Sequence, residues 1–105
     1  MQLCNAAVVV VQENIQRPLG VEMIAEQLNV SREYLTRVFK REFSVSPGQF
    51  YLHLRVRLAR EALLTTDLPI AEIAETYGFA DATHFGKLFR RTYGTTPGAW
   101  RKDHR

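Results

Sequence analysis

Two segments of this sequence, 31–43 and 81–93, combine basic, hydroxyl and apolar side chains in a way that could recognise a nucleic acid. As a helix, the first segment exposes five side chains, Arg32, Glu33, Thr36, Arg37 and Lys40. Arginine can hydrogen-bond guanine O6 and N7 together, threonine suits a thymine methyl, and glutamate can accept from cytosine N4. Arg37 is therefore the best candidate for a base contact. The alternative is that all five side chains form a solvated helix face.

The second segment exposes a poorer set of side chains, Ala82, Thr83, Gly86, Lys87 and Arg90. We expect these residues to discriminate bases more weakly and to position the helix on the DNA backbone. Gly86 would lie in mid-helix, where glycine costs about 1 kcal/mol relative to alanine. A close approach to DNA would explain this glycine, and a position without constraint would explain it equally well.

Positive charge is concentrated in these segments and in the residues that follow them. The net charge is only +3, yet residues 32–60 contain seven basic and two acidic residues, and residues 87–105 contain six and one. Residues 61–86 contain five acids and no lysine or arginine. This distribution fits an electrostatic footprint for nucleic acid. The predicted phosphate contacts are Ser31, Lys40, Arg41, Arg90 and Arg91.

Other roles are open for some of the arginines. Arg41 and Arg91 could support the fold instead of contacting phosphates. Three arginines of the region between the two segments are expected to pair with neighbours such as Glu61 rather than with DNA: Arg55, Arg57 and Arg60.

The sequence offers little for catalysis or metal binding. His53, His84 and His104 lack metal-ligand spacing, and the single cysteine, Cys4, cannot complete a zinc site. There is no Gly-rich phosphate loop, paired-carboxylate pocket or nucleophile–histidine constellation. We therefore expect no enzyme, no metal and no cofactor. RNA is disfavoured as a ligand, because the aromatic residues follow the periodicity of a helical core.

An internal repeat relates the two segments. Residues 34–50 align without gaps on residues 84–100, an offset of 50 positions, and residues 24–26 align on 73–75. Each copy contains an apolar stripe, a tight turn, a capped helix and a Pro-Gly restart, which is the pattern of a helix-turn-helix. Asn29 and Gly78 are expected in left-handed conformations in the turns. Ser31 and Asp81 are expected to cap the helices that follow.

Periodicity and capping residues predict an all-α chain of about seven helices. The first, over 3–16, would bury Leu3, Ala7, Val8, Val11 and Ile15, although its β-branched run also suits a strand, and 17–20 would end it. In the helix predicted over 82–93, His84 is expected to be half-buried. The remaining helices are expected at 21–28, 32–43, 47 to about 64, about 70–77, 82–93 and 97–100, with a frayed tail over 102–105.

Length and cysteine content suggest a single domain in a reducing compartment, with the cytoplasm as the default. The apolar run 6–11 is too short to span a membrane, which needs ~20 residues. Cys4 is expected to be buried rather than reactive.

With this repeat and these turn and cap residues, the chain resembles the DNA-binding domain of the AraC/XylS family of bacterial transcription activators. The resemblance covers essentially the whole length. The matching residues in the second copy are Ile70, Ile73, Ala74, Gly78, Phe79, Asp81, Phe85, Phe89, Arg90, Gly94, Pro97 and Arg101. Those further upstream are Leu35, Arg37, Phe39, Pro47, Arg57, Ala59, Leu63 and Leu64. The departures are small: Gly20 and Pro69 replace a Ser/Thr cap, Trp100 replaces Tyr or Phe, and Ser44 stands where the second copy has Gly94.

The resemblance implies an AraC-type domain over 1–105. Its parts would be a helix-turn-helix subdomain over 3–46, a linker helix over 47–65 and a second subdomain over 66–105. Helices at about 31–43 and 81–93 would enter successive major-groove segments of double-stranded DNA, about one turn or roughly 34 Å apart. Because the two copies differ, the site would be asymmetric.

Family members usually have a separate effector or dimerisation domain. The resemblance therefore favours the DNA-binding part of a longer, effector-responsive regulator over a stand-alone member of the family, with RNA polymerase as a possible further partner. The rival interpretation is a protein-interaction module whose basic faces dock acidic partners. Steep loss of affinity with salt, together with a sequence preference, would favour DNA.

Overall fold

The computed structural model describes residues 2–15 and 20–105. Within these residues the chain forms seven α-helices and no strand, which confirms the predicted all-α fold. The helices are α1 (Gln2–Glu13), α2 (Val21–Gln27), α3 (Arg32–Phe43), α4 (Pro47–Thr65), α5 (Ile70–Thr76), α6 (Ala82–Tyr93) and α7 (Pro97–His104). None of the described helices is both long and apolar enough to cross a membrane.

The chain divides into two compact units, Met1–His53 and Leu54–Arg105. The division falls inside α4, so this helix contributes its first turns to one core and its remaining turns to the other. The sequence predicts a linker helix over the same residues, and α4 spans Pro47–Thr65 as expected. The predicted subdomain limits at 46 and 66 stay predictions.

In the first unit, α1 differs from its predicted form. The helix ends at Glu13, and a turn follows in which the Asn14 side-chain amide donates to Val10 O at 2.8 Å. Its buried residues are Cys4, Ala7 and Val11, whereas Leu3, Val8 and Ile15 are only half-buried. Helical periodicity alone allowed either stripe, and packing against the rest of the unit selected the narrower one. Of the predicted end at 17–20, residues 17–19 lie outside the described residues.

The core of the first unit is built around Phe39. Its ring lies 5.3 Å from the Phe50 ring and 5.7 Å from the Tyr51 ring, centroid to centroid. Ile24 and Leu35 of the same unit are also fully buried. Burial of this apolar surface is the main stabilising contribution to the unit.

The core of the second unit repeats this arrangement with Phe89. The Phe89 ring lies 5.7 Å from the Phe85 ring and 6.0 Å from the Trp100 ring. Ile73 and Leu63 are also fully buried. Phe85 and Phe89 are therefore core residues, as their periodicity predicts, whereas Phe43 of the first unit, predicted as core by the same periodicity, is 38% exposed.

The predicted frayed tail is wrong. Helix α7 extends to His104, its Thr96 cap accepts from Ala99 N at 3.2 Å, and the Trp100 and His104 rings stack at 4.2 Å. Arg105 donates to Thr66 O at 2.9 Å and pairs with Asp67, an interaction that lowers the pKa of the Asp67 carboxyl. These long-range contacts order the end of the chain, and no local pattern in the sequence predicts them.

Candidate nucleic-acid interface

A tight turn and a side-chain cap set the start of α3. Asn29 adopts a left-handed conformation with φ of 57°, as its position in the repeat predicts. The Ser31 hydroxyl then accepts a hydrogen bond from Tyr34 N at 3.0 Å, satisfying one of the unpaired donors at the helix start. Leu35 and Phe39 are fully buried, which fixes the face that α3 presents outward.

The second unit positions α6 by the same means. Gly78 takes the left-handed turn with φ of 84°. The Asp81 carboxylate accepts from His84 N at 2.7 Å, which confirms the predicted cap. Phe85 and Phe89 are fully buried on the inner face. The capped helices α3 and α6 therefore stand at equivalent places in the repeat, each with a fixed inner face.

The predicted contacts on α3 form an outward face of mostly basic side chains. Glu33, Arg37 and Lys40 are exposed at i, i+4 and i+7, so they share one side of the helix. Arg32 is exposed beside them and Thr36 is half-buried. These residues are therefore brought together on one helix, as the pattern predicts.

Neighbouring side chains constrain some of these cations. Arg32 Nη1 lies 3.2 Å from Glu22 Oε1, an exposed ion pair that DNA phosphates could displace. The Arg37 guanidinium lies 5.9 Å from the centroid of the Tyr34 ring, which reduces the conformational freedom of the arginine. Arg41 contacts only its neighbour Glu42 among the described ion pairs, with N and O atoms 3.7 Å apart.

The outward face of α6 has smaller side chains. Thr83, Lys87 and Arg90 are exposed at the same i, i+4, i+7 spacing, and Arg91 is exposed at the next position. Ala82 and Gly86 are half-buried. The outward face of α6 is therefore poorer in long polar side chains than that of α3, as the sequence predicts.

One expected burial on α6 is wrong. His84 is exposed rather than half-buried, and its ring lies 6.2 Å from the Phe79 ring. Its counterpart in the first unit, Tyr34, is exposed as well. The third position after the cap is therefore on the surface in both units, because the inward residues begin one position later, at Leu35 and Phe85.

Gly86 has no structural reason to be a glycine. No described atom outside the helix backbone lies within 4 Å of the Cβ that an alanine would add there. We expect Gly86→Ala to raise the free energy of unfolding by up to about 1 kcal/mol. Urea unfolding followed by the fluorescence of Trp100, the single tryptophan of the chain, measures the change.

The matched control is Gly94→Ala, the same replacement in the same unit. Gly94 ends α6 with φ of 77°, a conformation that disfavours a side chain. This variant should lose stability by more than about 1 kcal/mol. A destabilised Gly86→Ala would mean that the helix cannot accept a methyl group at this position.

Two arginines of α4 support the second unit instead of extending the basic face. Arg60 pairs with Glu61 at 3.3 Å, as predicted, and also lies over the Tyr93 ring at 5.0 Å. Arg55 Nη1 donates to Gly78 O at 2.8 Å. The contacts with Tyr93 and Gly78 leave no signal in the sequence, because they join residues more than twenty positions apart. Arg57 is exposed.

The described residues contain no group of three or more His, Cys, Asp or Glu side chains that could hold a metal ion. Cys4 is buried, and burial raises the pKa of its thiol. A buried thiol with a raised pKa is a poor nucleophile and a poor metal ligand.

Comparison with known proteins identifies the family. A family model described as a helix-turn-helix domain matches residues 24–103. The HTH-type transcriptional regulator ArgR of Pseudomonas aeruginosa is 37% identical over 99 residues, which make up 94% of this chain and 30% of ArgR. The chain thus spans less than a third of the length of that relative.

Solved structures agree with this assignment. A transcriptional regulator from Chromobacterium violaceum, described as having an AraC-type DNA-binding domain, superimposes with a TM-score of 0.92 and 33% identity over 97% of this chain and 91% of that one. The DNA-binding domain of AdpA, a global transcriptional factor solved in complex with a target DNA, gives 0.88 and 29% over 98% and 92%. The chain belongs to the family of AraC-type helix-turn-helix domains, which are DNA-binding domains of bacterial transcriptional regulators and not enzymes.

Proposed function

We propose that this chain regulates transcription by binding an asymmetric double-stranded DNA site through two different recognition helices, α3 and α6. The observation that supports the proposal is the structural repeat. In each unit a left-handed turn and a side-chain cap precede a helix that buries apolar residues on one face and exposes basic residues on the other. A helix held in this way can enter a major groove with its outward side chains.

The proposed base contacts of α3 are Arg32, Glu33, Thr36 and Arg37. Arg37 is exposed, and the Tyr34 ring, whose centroid lies 5.9 Å from the guanidinium carbon, supports its donor groups. Glu33 would repel phosphates, so its contact would be with an amino group such as cytosine N4. Arg32 would exchange its ion pair with Glu22 for a contact with DNA.

The proposed base contacts of α6 are Ala82, Thr83, Gly86 and Lys87. Small side chains allow a close approach and apolar contact with thymine methyl groups. Ser31, Lys40, Arg41, Arg90 and Arg91 would contact phosphates. Such contacts set the register of a helix on DNA without reading sequence.

The test of the proposal is selection from a pool of random duplexes at physiological salt, where non-specific binding is weak. We expect enrichment of one asymmetric motif with two unlike boxes. A single box would restrict base recognition to one helix. A folded protein that enriches no sequence would overturn the proposal and favour docking of an acidic protein partner.

Within the selected site, Arg37→Ala should weaken specific binding by about 1–3 kcal/mol and relax the preference at one base pair. The physical reason is the loss of a two-point hydrogen bond to guanine. Binding to the selected duplex and to its single-base variants, measured by fluorescence anisotropy, gives both quantities. Equal loss on selected and random duplexes would make Arg37 a phosphate contact.

The control for Arg37→Ala is Lys40→Ala, one helical turn further along the same face. This variant removes a charge from a proposed phosphate contact, so affinity should fall by a similar factor on all sequences. The slope of log affinity against log salt should decrease by about one. An unchanged slope would remove Lys40 from the interface.

We propose that this chain is the DNA-binding part of a longer protein, about the length of ArgR. That protein would respond to an effector, act in the cytoplasm and contact RNA polymerase. Transcription in vitro from a promoter that contains the selected site tests the contact. Stimulation or repression that depends on the site would support it, and transcription unaffected by bound protein would count against it.

A further inference from the structure

Arg55 is a half-buried residue that contacts the turn before α6. The residue lies on α4 within the Leu54–Arg105 unit. Its Nη1 donates to Gly78 O at 2.8 Å, and its guanidinium carbon lies 5.2 Å from the centroid of the Phe79 ring. The Nε atom is buried without a hydrogen-bond partner among the described residues. Burial also lowers the pKa of the guanidinium.

Burying a guanidinium is unfavourable unless its contacts compensate, because the charge loses its hydration. The hydrogen bond and the aromatic contact of Arg55 both reach the α5–α6 turn, at two successive residues. A charge-assisted hydrogen bond to a backbone carbonyl is shorter and stronger than a neutral one. The hydrogen bond therefore restrains the backbone of the turn, and the aromatic contact packs the guanidinium against the Phe79 side chain.

Backbone hydrogen bonds to carbonyls of α5 also restrain this turn. Gly78 N donates to Glu75 O at 3.2 Å, and Phe79 N donates to Ala74 O at 2.9 Å. Arg55 adds the bond to the Gly78 carbonyl. Gly78 has φ of 84°, in a region that glycine adopts without steric cost. Hydrogen bonds at both its N–H and its carbonyl oxygen therefore restrict the direction in which the chain continues to α6.

We propose that Arg55 is a positioning residue for DNA recognition by α6: it fixes the turn and thereby the angle at which α6 meets the groove. The proposal rests on the proposed function, in which α6 reads the second box of the site. The first unit has no equivalent device on its first helix, because α1 contains no lysine or arginine. Recognition by α3 should therefore be independent of Arg55.

The experiment compares Arg55→Lys, which keeps the charge without the planar fork, and Arg55→Met, which removes the charge. The control is Arg57→Met, an exposed position two residues along the same helix. The first measurement is amide hydrogen exchange of the turn residues 77–80 in the free protein. The second is affinity for the selected duplex and for the same duplex with the second box scrambled.

We expect both Arg55 variants to retain their helical circular dichroism, with amide exchange of the turn faster by roughly tenfold or more. Affinity for the intact duplex should fall by a similar factor, while affinity for the duplex with the scrambled second box stays at the wild-type value. Arg57→Met should match the wild type in turn exchange. Arg55→Lys keeps the comparison possible if Arg55→Met does not fold.

Unchanged exchange in the turn would overturn the proposal. Equal loss of affinity on both duplexes would overturn it too, because it would assign Arg55 to general DNA attraction or to overall stability. If the wild-type protein prefers no DNA sequence, the proposed function is wrong and α6 recognises no second box. Faster turn exchange would then show only a structural role for Arg55.

Discussion

Phe39→Ala is expected to lower the free energy of unfolding by about 3–5 kcal/mol. The Phe39 side chain is completely buried, and its ring contacts three further aromatic rings of the first unit. Alanine would remove the buried surface and leave a cavity, because a rigid helical core relaxes only in part. Urea unfolding followed by far-UV circular dichroism measures the loss. It is a large fraction of the stability of a small domain, which is about 5–15 kcal/mol.

The matched control is Phe43→Ala, the same replacement one helical turn further along α3. Phe43 is 38% exposed and its ring stacks on Phe50 at 4.6 Å. Part of this ring is already in water, so we expect less than half of the loss found for Phe39→Ala. Equal losses for the two variants would contradict the placement of Phe39 at the centre of the core.

Arg101→Ala is expected to cost about 2–3 kcal/mol, the largest effect of any charged residue outside the proposed DNA contacts. The Arg101 guanidinium donates to Leu63 O at 2.9 Å, Leu68 O at 2.8 Å and Thr66 O at 3.2 Å. These carbonyls lie at the end of α4 and in the segment after it, where helix geometry leaves acceptors without partners. Hydrogen bonds from a charged donor contribute about 1.5–3 kcal/mol each when buried, and these are partly exposed.

Lys102→Ala is the control for this prediction. Lys102 is the next residue on α7 and is exposed, so its removal should change stability by no more than about 0.5 kcal/mol. Arg101→Lys should recover little of the loss, because one ammonium group cannot reach three carbonyls in a planar arrangement. Trp100 fluorescence during urea unfolding measures all three variants. Full recovery by lysine would show that charge, and not the fork of donors, is what matters.

The predictable part of the fold rests on signals that are local in the chain. The repeat, the turn residues Asn29 and Gly78 and the caps Ser31 and Asp81 each act within a few residues of one another. Backbone conformation and cap hydrogen bonds follow directly from such short-range chemistry. For this reason the sequence alone predicts the bounds of α3 and α4, the side-chain caps of α3 and α6, and the basic side chains on the two outward faces.

The roles of the other arginines could not be predicted in this way. In sequence, Arg55 and Arg60 belong to the same basic stretch as Arg37, yet Arg55 supports the turn before α6 and Arg60 lies over aromatic rings. Arg101 directly precedes the tail over 102–105 that the sequence predicts to fray, yet it donates to three carbonyls at and after the end of α4. Positive charge indicates what an arginine can bind, but its partner is set by residues brought close in space.

The sequence by itself therefore determined that this protein has two helix-turn-helix units, where each recognition helix begins, and which charges it displays. Tertiary structure decided which stripe of α1 is buried, that α7 is ordered to His104, and which arginines are held inside the second unit. The physical reason is the range of the interactions. Helix periods, turns and caps are encoded over a few residues, whereas burial and long side-chain hydrogen bonds depend on segments that meet only when the chain has folded.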